Sequence, residues 1–537
     1  MLTEKSLSTL LQNGFRALEN GQIKEASKCC QEALRRKPDL VPAHFLVGLI
    51  GLEAQDRKTA FNAFSSVIKL QPDHGAAWAH LAKLCMGEGQ VNRADTALAA
   101  AVKYVGSEPI VFDLIGTVYS LMGEYGIANE WFGKANEQQP GYPPFMLNYA
   151  NNLVYHGKTD EANEVFAAIL KVQPNSPQAH WTLAGSRKAT DRAHVEAMAG
   201  YAQQKGMHPR AQAFYHYAIG KELEDLGAWD EAFSAFDAGA RSRRRTVEFD
   251  EAAEVEMFQF LETHYTPERF EGVEGHPSEA PIFVLGQPRT GTTLIERIIS
   301  SHSQVTSAGE LQQFSLALRR LCNYQDPKRF SAALFEASLK QEPKKIGAMY
   351  IETTRRMQGD TPRFVDKLPQ NYLMIPLILT ALPNAKIVHL SRGPMDACFA
   401  SFKQLFADAY LHSYDLQEMA RHHARYFKLM AVWRKRFPGR FLDVSYEATA
   451  SNLEPNARRL IEFLGLPWED ACLNFHKQKT AVSTASAVQV REPAHTRSIG
   501  RWRRYEKQLQ PMLAELIDSG MPISAEGDLV EAPEKSI

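Results

Sequence analysis

The sequence predicts an all-α solenoid of helical repeats, followed by an α/β domain with a parallel sheet and a phosphate-binding-loop-like anion site. Small residues recur at a fixed step in the first half, and short apolar runs alternate with longer helical stretches in the second half. A glycine- and threonine-containing loop follows the first of these runs. We expect the solenoid over residues 1–245, a linker over 246–279, the α/β domain over 280–525 and a tail over 526–537.

The solenoid is predicted from three series of residues that each keep a step of 34 positions. They are the alanines Ala26, Ala60, Ala94, Ala128 and Ala162, the glycines Gly21, Gly89, Gly123 and Gly157 with Gln55 in the remaining place, and the prolines Pro38, Pro72, Pro140 and Pro174 with Gly106 in the remaining place. In a helix–turn–helix unit, glycine supplies the positive φ of the turn, alanine lets the second helix approach the first, and proline ends the unit. Gly227 and Ala232 repeat the turn out of register, so residues 175–210 are expected to be a degenerate repeat.

These units resemble the tetratricopeptide repeat, for example in "NNLVYHGKTDEANEVFAAILKVQPN" at 151–175. A stack of such units forms a concave groove that commonly holds peptides, so we expect a protein or peptide partner. The alternative is that the repeats are only a packing scaffold.

Composition excludes several other classes of function. A net charge of -1 with 23% charged residues provides no basic field, so we expect no nucleic-acid partner. The first residues lack a basic segment before an apolar core, and the apolar cluster at 45–52 is far shorter than the roughly 20 residues that span a bilayer. We therefore expect no signal peptide and no membrane anchor. The six cysteines lack zinc-like spacing and are expected to be free thiols in the cytoplasm.

The second half begins after a charged and Gly/Pro-containing connector, in which we expect the run 241–245 to be a solvated helix end. The predicted strands are "APIFVLG", "RFVDKL", "AKIVHLSR" and "RFLDVSYE". Their alternation with helices indicates a parallel sheet, which binds ligands at the carboxyl ends of its strands.

The loop at 286–293, "GQPRTGTT", follows the first strand and precedes a helix. Backbone N–H groups and the positive end of the helix form a cradle for phosphate or sulfate there. A nucleoside triphosphate site needs a lysine after Gly291, but Thr292 stands there and Arg289 supplies the charge. The loop therefore favours an anion of lower charge, such as a sulfuryl group, that needs no metal clamp.

Three blocks in the second half, "VLGQPRTGTTLIERIISSHSQV", "FVDKLPQNY" and "KIVHLSRGPMDACFASFKQLF", resemble the sulfotransferase family. The resemblance runs over about 280–510 and is strongest to the tyrosylprotein sulfotransferases and to bacterial enzymes that also carry tetratricopeptide repeats. It implies a sulfotransferase fold similar to that of P-loop NTPases, with 3′-phosphoadenosine 5′-phosphosulfate (PAPS) as co-substrate and no metal.

The resemblance also implies which residues bind the donor. The residues implied at the 5′-phosphosulfate are Arg289, Thr290, Gly291, Thr292 and Thr293. Arg392 is implied at the 3′-phosphate, together with a serine whose position is Ala400 here, with Ser401 following it. Tyr446 is implied near the donor, and Ser486 and Arg501 in a closing loop.

For catalysis, the resemblance implies Glu310 as general base and Lys367 as the cation facing the transferred group, with Arg289. Asp366 or a nearby histidine remains a rival for the base. His302 and His389 are expected to be structural, because one lies at a helix end and the other inside an apolar strand.

The acceptor is open between a hydroxyl of a protein, such as that of a tyrosine, and a hydroxyl of a small molecule, glycan or lipid. The repeats favour a polypeptide, whereas Gln312, Gln313 and Leu316 stand where the tyrosylprotein enzymes carry basic residues. Two other classes remain as alternatives: a repeat-based scaffold with a non-catalytic nucleotide fold, and a kinase.

Overall fold

The computed structural model describes residues 2–326, 328–478, 480 and 489–530. The chain forms two compact units, the first ending at Asn152 and the second beginning at Leu153. In the described part of the chain, no helix combines the length and the apolar character needed to cross a membrane. The six cysteines are free, and five of them are buried.

The first unit consists of paired helices, which confirms the predicted repeats. They are α1 (Leu2–Glu19), α2 (Ile23–Arg36), α3 (Val41–Glu53), α4 (Arg57–Leu70), α5 (Gly75–Gly87), α6 (Val91–Lys103), α7 (Pro109–Leu121), α8 (Tyr125–Gln138) and α9 (Pro143–His156), which ends in the second unit. The periodic alanines are fully buried. Gln55, which replaces the turn glycine, still has φ 58°, so the helix pair dictates a left-handed turn even without glycine.

The second unit contains five further repeat helices, α10 (Thr159–Val172), α11 (Pro177–Ser186), α12 (Ala193–Ala202), α13 (Pro209–Asp225) and α14 (Trp229–Arg244), and then one helix, α15 (Glu251–His264), that leads to the sheet domain. Helix α15 lies in the predicted linker and buries Met257, Phe258 and Leu261 in a core of the sheet domain. Arg243, expected to be solvated, is buried and its Nη2 lies 2.8 Å from Asp408 Oδ1, because the end of α14 packs on the following domain.

The α/β domain contains a five-stranded parallel sheet of order β2-β3-β1-β4-β5. The strands are β1 (Pro281–Gly286), β2 (Val305–Ser307), β3 (Arg363–Lys367), β4 (Lys386–Ser391) and β5 (Leu442–Ser445). The four predicted strands are present, while the edge strand β2, only three residues long, has too little pattern to be predicted.

Helices cover both faces of this sheet. They are α16 (Thr292–Ser300), α17 (Gln313–Leu321), α18 (Ala332–Ser338), α19 (Pro343–Thr354), α20 (Ile375–Ala381), α21 (Pro394–Phe402), α22 (Leu416–Arg436), α23 (Tyr446–Ser451), α24 (Leu453–Phe463) and α25 (Gln510–Asp518). Alternate residues of β1 enter two separate cores, Phe283 on one face and Ile282 and Val284 on the other. Because Gly286 pairs with Leu390 and Val284 with Lys367, the loop after β1 lies beside the carboxyl ends of β3 and β4.

Candidate active site

The loop after β1 has a backbone path that requires glycine at two positions. Gly286 has φ 148°, and a Cβ there would lie 2.4 Å from the carbonyl oxygen of Leu390. Gly291 has φ 102°, and a Cβ there would lie 2.5 Å from Cδ2 of Tyr446. Both contacts are too close for any side chain, so the glycines allow the loop to pass between β4 and the ring of Tyr446.

Arg289 and Thr290 give the loop its charge and its rigidity. Arg289 has φ 62°, a left-handed conformation that is uncommon outside glycine. Burial and the nearby cation Arg392 lower the pKa of Arg289 to about 10, so it stays charged at neutral pH. The Thr290 hydroxyl donates to the carbonyl of Gln287 at 2.8 Å, and α16 begins immediately after the loop at Thr292. The loop therefore presents a guanidinium and a helix N-terminus together.

A pocket, here called the cationic pocket, opens beside this loop. Its lining residues are Arg289, Gly291, Arg392, Asp396, Phe399, Ala400, Lys403, Tyr446, Ser498 and Arg501. An adjoining cavity shares Gly291, Tyr446 and Ser498 with it and is lined further by Thr293, Leu294, Phe475, Val490, Glu492, Pro493, Ala494 and His495. The fold thus gathers four cations from separate parts of the chain around one space, with a partly apolar space next to it.

Arg392 forms hydrogen bonds to two separate segments that line the pocket. Its Nη1 donates to the carbonyl of Arg289 at 2.9 Å, and its Nη2 donates to the carbonyl of Ser498 at 2.5 Å. The guanidinium carbon lies 4.8 Å from the centroid of the Tyr446 ring, a cation–π contact. Arg392 therefore links the loop after β1 to the segment that carries Arg501.

Ser401, implied at the 3′-phosphate, does not line the cationic pocket in the described structure. Ser401 is buried, and its hydroxyl donates to the carbonyl of Pro288 at 3.3 Å, while its neighbour Ala400 lines the pocket. Consecutive residues of α21 point in different directions, so the one-position shift in sequence changes the role of the serine. Ser486 lies outside the residues that the structure describes.

Lys403 was missed by the sequence analysis. It lines the pocket, and its Nζ donates to both carboxylate oxygens of Glu224, at 2.7 and 3.0 Å. Burial lowers its pKa to about 8, and the carboxylate of Glu224 opposes that decrease. A signal was available, because Asp396, Ala400 and Lys403 are spaced by four and three residues and so share one helical face.

The predicted catalytic residues Glu310 and Lys367 form an ion pair at the carboxyl ends of β2 and β3. The backbone N–H of Lys367 donates to the carbonyl of Gly309 at 2.9 Å, which places the two side chains side by side. The Lys367 side chain is 1% exposed, whereas that of Glu310 is 43% exposed. Glu296 lies 3.8 Å from Lys367 Nζ and is buried, and burial raises its pKa. The lysine is thus held between two carboxylates.

Asp366, the rival candidate for the general base, is buried and accepts a hydrogen bond from a tyrosine. The Tyr350 hydroxyl donates to Asp366 Oδ2 at 2.9 Å, and burial raises the pKa of Asp366 to about 8. His302 and His389 also bond within the fold, since His302 Nε2 lies 2.8 Å from the carbonyl of Pro467 and His389 Nδ1 lies 2.5 Å from Asp443 Oδ1.

Arg329 is a second residue that the sequence analysis missed. Its Nη1 donates to Gln370 Oε1 at 3.1 Å, and within the described chain its Nε and Nη2 are buried without hydrogen-bond partners. Burial lowers its pKa, while the charges of Tyr410 and Glu310 oppose that change. A cation therefore lies on the Glu310 side of the site.

One group of described residues has potential metal-ligand atoms within 4.8 Å of one another: Glu254, His412 and His422. The two imidazole rings stack with centroids 3.5 Å apart and planes 12° apart, so their in-plane lone pairs do not converge on one ion. Arg425 Nη2 also donates to Glu254 Oε1 at 2.7 Å. These contacts suit a hydrogen-bonded cluster better than a metal centre.

Comparison with family models agrees with the two-part fold. Residues 281–470 match the model described as the sulfotransferase family, and residues 51–115 match a tetratricopeptide repeat model. The chain therefore carries a sulfotransferase-family domain joined to tetratricopeptide repeats, as the sequence predicted.

Two curated relatives extend the comparison. An uncharacterized protein of Aquifex aeolicus (strain VF5) is 30% identical over 414 residues, which cover 75% of this chain and 54% of that protein. This chain thus spans about half the length of that relative. A putative protein-tyrosine sulfotransferase of Caenorhabditis briggsae is 25% identical over 230 residues, covering 42% of this chain and 81% of that protein.

Solved structures resemble the two parts separately. The sulfotransferase domain from the curacin biosynthetic pathway has a TM-score of 0.33, with 16% identity over 46% of this chain and 97% of its own. YrrB, a tetratricopeptide repeat protein described as having an unusual peptide-binding site, has a TM-score of 0.27 and 14% identity over 38% of this chain and 96% of its own.

Proposed function

We propose that this protein transfers a sulfuryl group from PAPS to a hydroxyl acceptor. The observation that carries the proposal is that the glycine loop after β1 lies beside the end of β3, which carries Lys367, and beside the end of β4, which leads to Arg392 of the cationic pocket. Such a site can bind a donor anion and also accept a proton from the acceptor.

We assign the donor's two charged ends to different cations. The 5′-phosphosulfate would lie on the backbone amides after Gly286 and on Arg289, at the start of α16. The 3′-phosphate would be held by Arg392, Lys403 and Arg501, which converge in the cationic pocket. The adjoining cavity, with Leu294, Phe475 and Val490 in its lining, would take the adenine.

The chemistry would be an in-line displacement at sulfur. Glu310 accepts the proton of the acceptor hydroxyl, the oxygen forms a bond to sulfur, and the bond from sulfur to the bridging phosphate oxygen breaks. Lys367 and Arg289 stabilise the charge that develops on the sulfuryl and bridging oxygens. The products are a sulfate ester and adenosine 3′,5′-bisphosphate.

For the acceptor we favour a hydroxyl of a protein or peptide, such as a tyrosine. The similarity to the putative protein-tyrosine sulfotransferase of Caenorhabditis briggsae and the repeat region both support a polypeptide. Arg329 has two buried donor atoms without a partner among the described residues, on the Glu310 side, and would suit an acceptor with an acidic neighbour. A small-molecule or glycan acceptor remains the second candidate, favoured by the uncharged Gln312, Gln313 and Leu316.

Calorimetric titration of the purified protein with adenosine 3′,5′-bisphosphate and with ATP–Mg²⁺ tests the donor. We expect binding of the bisphosphate, and Arg289→Ala should abolish it. Preference for ATP–Mg²⁺ would instead indicate a kinase. Incubation with sulfur-labelled PAPS and tyrosine-containing peptides, with and without acidic neighbours, then tests the acceptor, and label transfer only to small molecules would reject a polypeptide.

A further inference from the structure

A buried carboxylate from the repeats contacts two cations of the cationic pocket. Glu224 lies in the last turn of α13 and is 7% exposed. It accepts hydrogen bonds from Lys403 at 2.7 and 3.0 Å and from the Tyr505 hydroxyl at 3.0 Å, and Arg501 Nη2 lies 2.9 Å away. Lys403 and Arg501 line the pocket, whereas Glu224 does not. One carboxylate thus pairs with two cations of the pocket without lining the pocket itself.

The helix that carries Glu224 is fixed against the α/β domain. The Tyr217 hydroxyl, also on α13, donates to the carbonyl of Phe402 at 3.1 Å. Residues of α13 and α14 share one apolar core with α21, α22 and α25. Since α21 carries the pocket residues Ala400 and Phe399, movement of α13 would be transmitted to them.

We propose that Glu224 is a positioning residue of the donor site, which orients Lys403 and Arg501 toward the donor's 3′-phosphate and makes the last repeat helices part of that site. This inference rests on the proposed function. It gives the α13–α14 pair a role in donor binding that is separate from any peptide groove in the repeats.

The charges around Lys403 explain why a carboxylate is needed. Burial lowers the pKa of Lys403 to about 8, the cations Arg501 and Arg289 lower it as well, and Glu224 raises it. Without Glu224 the pKa of Lys403 would fall further, so the amine would lose its proton nearer neutral pH and no longer attract the phosphate. Arg501 would also lose the partner that fixes its guanidinium.

Glu224→Gln tests the proposal, with calorimetric titration of the full chain as the measurement. At about pH 9, affinity for adenosine 3′,5′-bisphosphate should fall about tenfold in the variant, the effect of a decrease of about one pKa unit at Lys403. Affinity for adenosine 5′-monophosphate, which lacks the 3′-phosphate, should stay within about twofold by the same reasoning. The pH above which bisphosphate affinity declines should shift downward in the variant, because Lys403 titrates earlier.

Glu222→Gln is the matched control. Glu222 is a fully buried carboxylate two residues away on the same helix, but it lies 2.7 Å from His194 Nδ1 and 3.6 Å from Arg187 Nη2 and does not contact the pocket. We expect its bisphosphate affinity and pH profile to match those of the wild type. The control separates loss of a buried charge in α13 from loss of the link to Lys403.

The outcomes can be told apart. If the wild type does not bind the bisphosphate, the proposed function and this inference both fail. If the wild type binds it and Glu224→Gln binds equally well, or loses affinity equally for both nucleotides, only the inference fails. If Glu224→Gln does not fold, Lys403→Gln replaces it, because the amide of the new glutamine can still donate a hydrogen bond to Glu224. This variant must show the same bisphosphate-selective loss. Unchanged affinity would overturn the inference.

Discussion

Lys367 and Glu310 form an ion pair in which the cation is buried and the carboxylate is partly exposed. The lysine is held by β3 and by a second carboxylate, Glu296, at 3.8 Å, so its position is set by the fold. Glu310 follows the short strand β2 and can meet an acceptor arriving from solvent. This asymmetry suits a fixed cation for the transferred group and an accessible base for the acceptor proton.

Glu310→Gln should keep donor binding and lower turnover by about 10²-fold or more, the usual effect of losing a general base. Single-turnover assays with PAPS, together with bisphosphate titration, measure the two quantities separately. Asp366→Asn is the control, because Asp366 is engaged by Tyr350 and should contribute little to turnover. Normal turnover in Glu310→Gln, or the larger loss in Asp366→Asn, would assign the base elsewhere.

Gly291→Ala should abolish donor binding. The added Cβ would lie 2.5 Å from Cδ2 of Tyr446, and φ 102° is unfavourable for alanine, so the loop must move. Tyr446→Ala in the same chain removes the clash but not the unfavourable φ, and we expect only partial recovery of structure around the loop. Bisphosphate titration of the single and double variants provides the measurement, and wild-type affinity in Gly291→Ala would show that the loop does not bind the donor.

Ser401→Ala should change donor affinity by less than about threefold, because its hydroxyl forms a long bond to the carbonyl of Pro288 and does not line the pocket. Ala400→Ser places a hydroxyl on the pocket wall and should strengthen bisphosphate binding by about three- to tenfold, the value of one added hydrogen bond. Titration with adenosine 3′,5′-bisphosphate measures the affinity of both variants. A large loss in Ser401→Ala would instead make that serine a phosphate ligand.

The stability of the protein should depend on pH through Asp366. Burial raises the pKa of this carboxyl to about 8, whereas it is about 3.9 in an unfolded chain. The folded state therefore holds a proton that the unfolded state releases, so the stabilising contribution is complete below about pH 4 and is lost as the pH rises toward about 8.

Asp366→Asn cannot lose that proton, so its free energy of unfolding should decline less than that of the wild type between about pH 5 and about pH 7.5. The difference in slope should be at most about 1.4 kcal/mol per pH unit. Denaturant titrations at several pH values measure it. Parallel curves for the two proteins would mean that Asp366 is already ionised in the folded state.

Much of the fold was predictable because local requirements repeat along the chain. The alanines every 34 residues are buried where helices meet, and the turn at Gln55 keeps the left-handed conformation of its glycine counterparts. The four predicted strands are apolar runs long enough to show a pattern, whereas β2 is too short. Helix α15 lies in the predicted linker because the passage around it is charged and then contains glycine and proline, a composition typical of a connector.

The site was predictable in part. Arg289, Gly291, Arg392, Tyr446 and Arg501 were implied together and line one pocket. Arg329 was missed because a single arginine outside a motif has no distinguishing neighbours in sequence. Lys403 was missed although it lies in the third resembling block and its spacing from Asp396 and Ala400 gave a signal. Ser401 was placed one residue from the pocket wall, a difference that only the orientation of α21 resolves.

The sequence by itself determined the repeat period and the glycine loop, because each depends on backbone conformations and small side chains that a short stretch of chain specifies. Only the tertiary structure decided that Glu224 pairs with Lys403, 179 residues away, and that Glu310 pairs with Lys367, 57 residues away. Contacts of this kind depend on how whole helices and strands pack, and such packing leaves no periodic signal in the sequence.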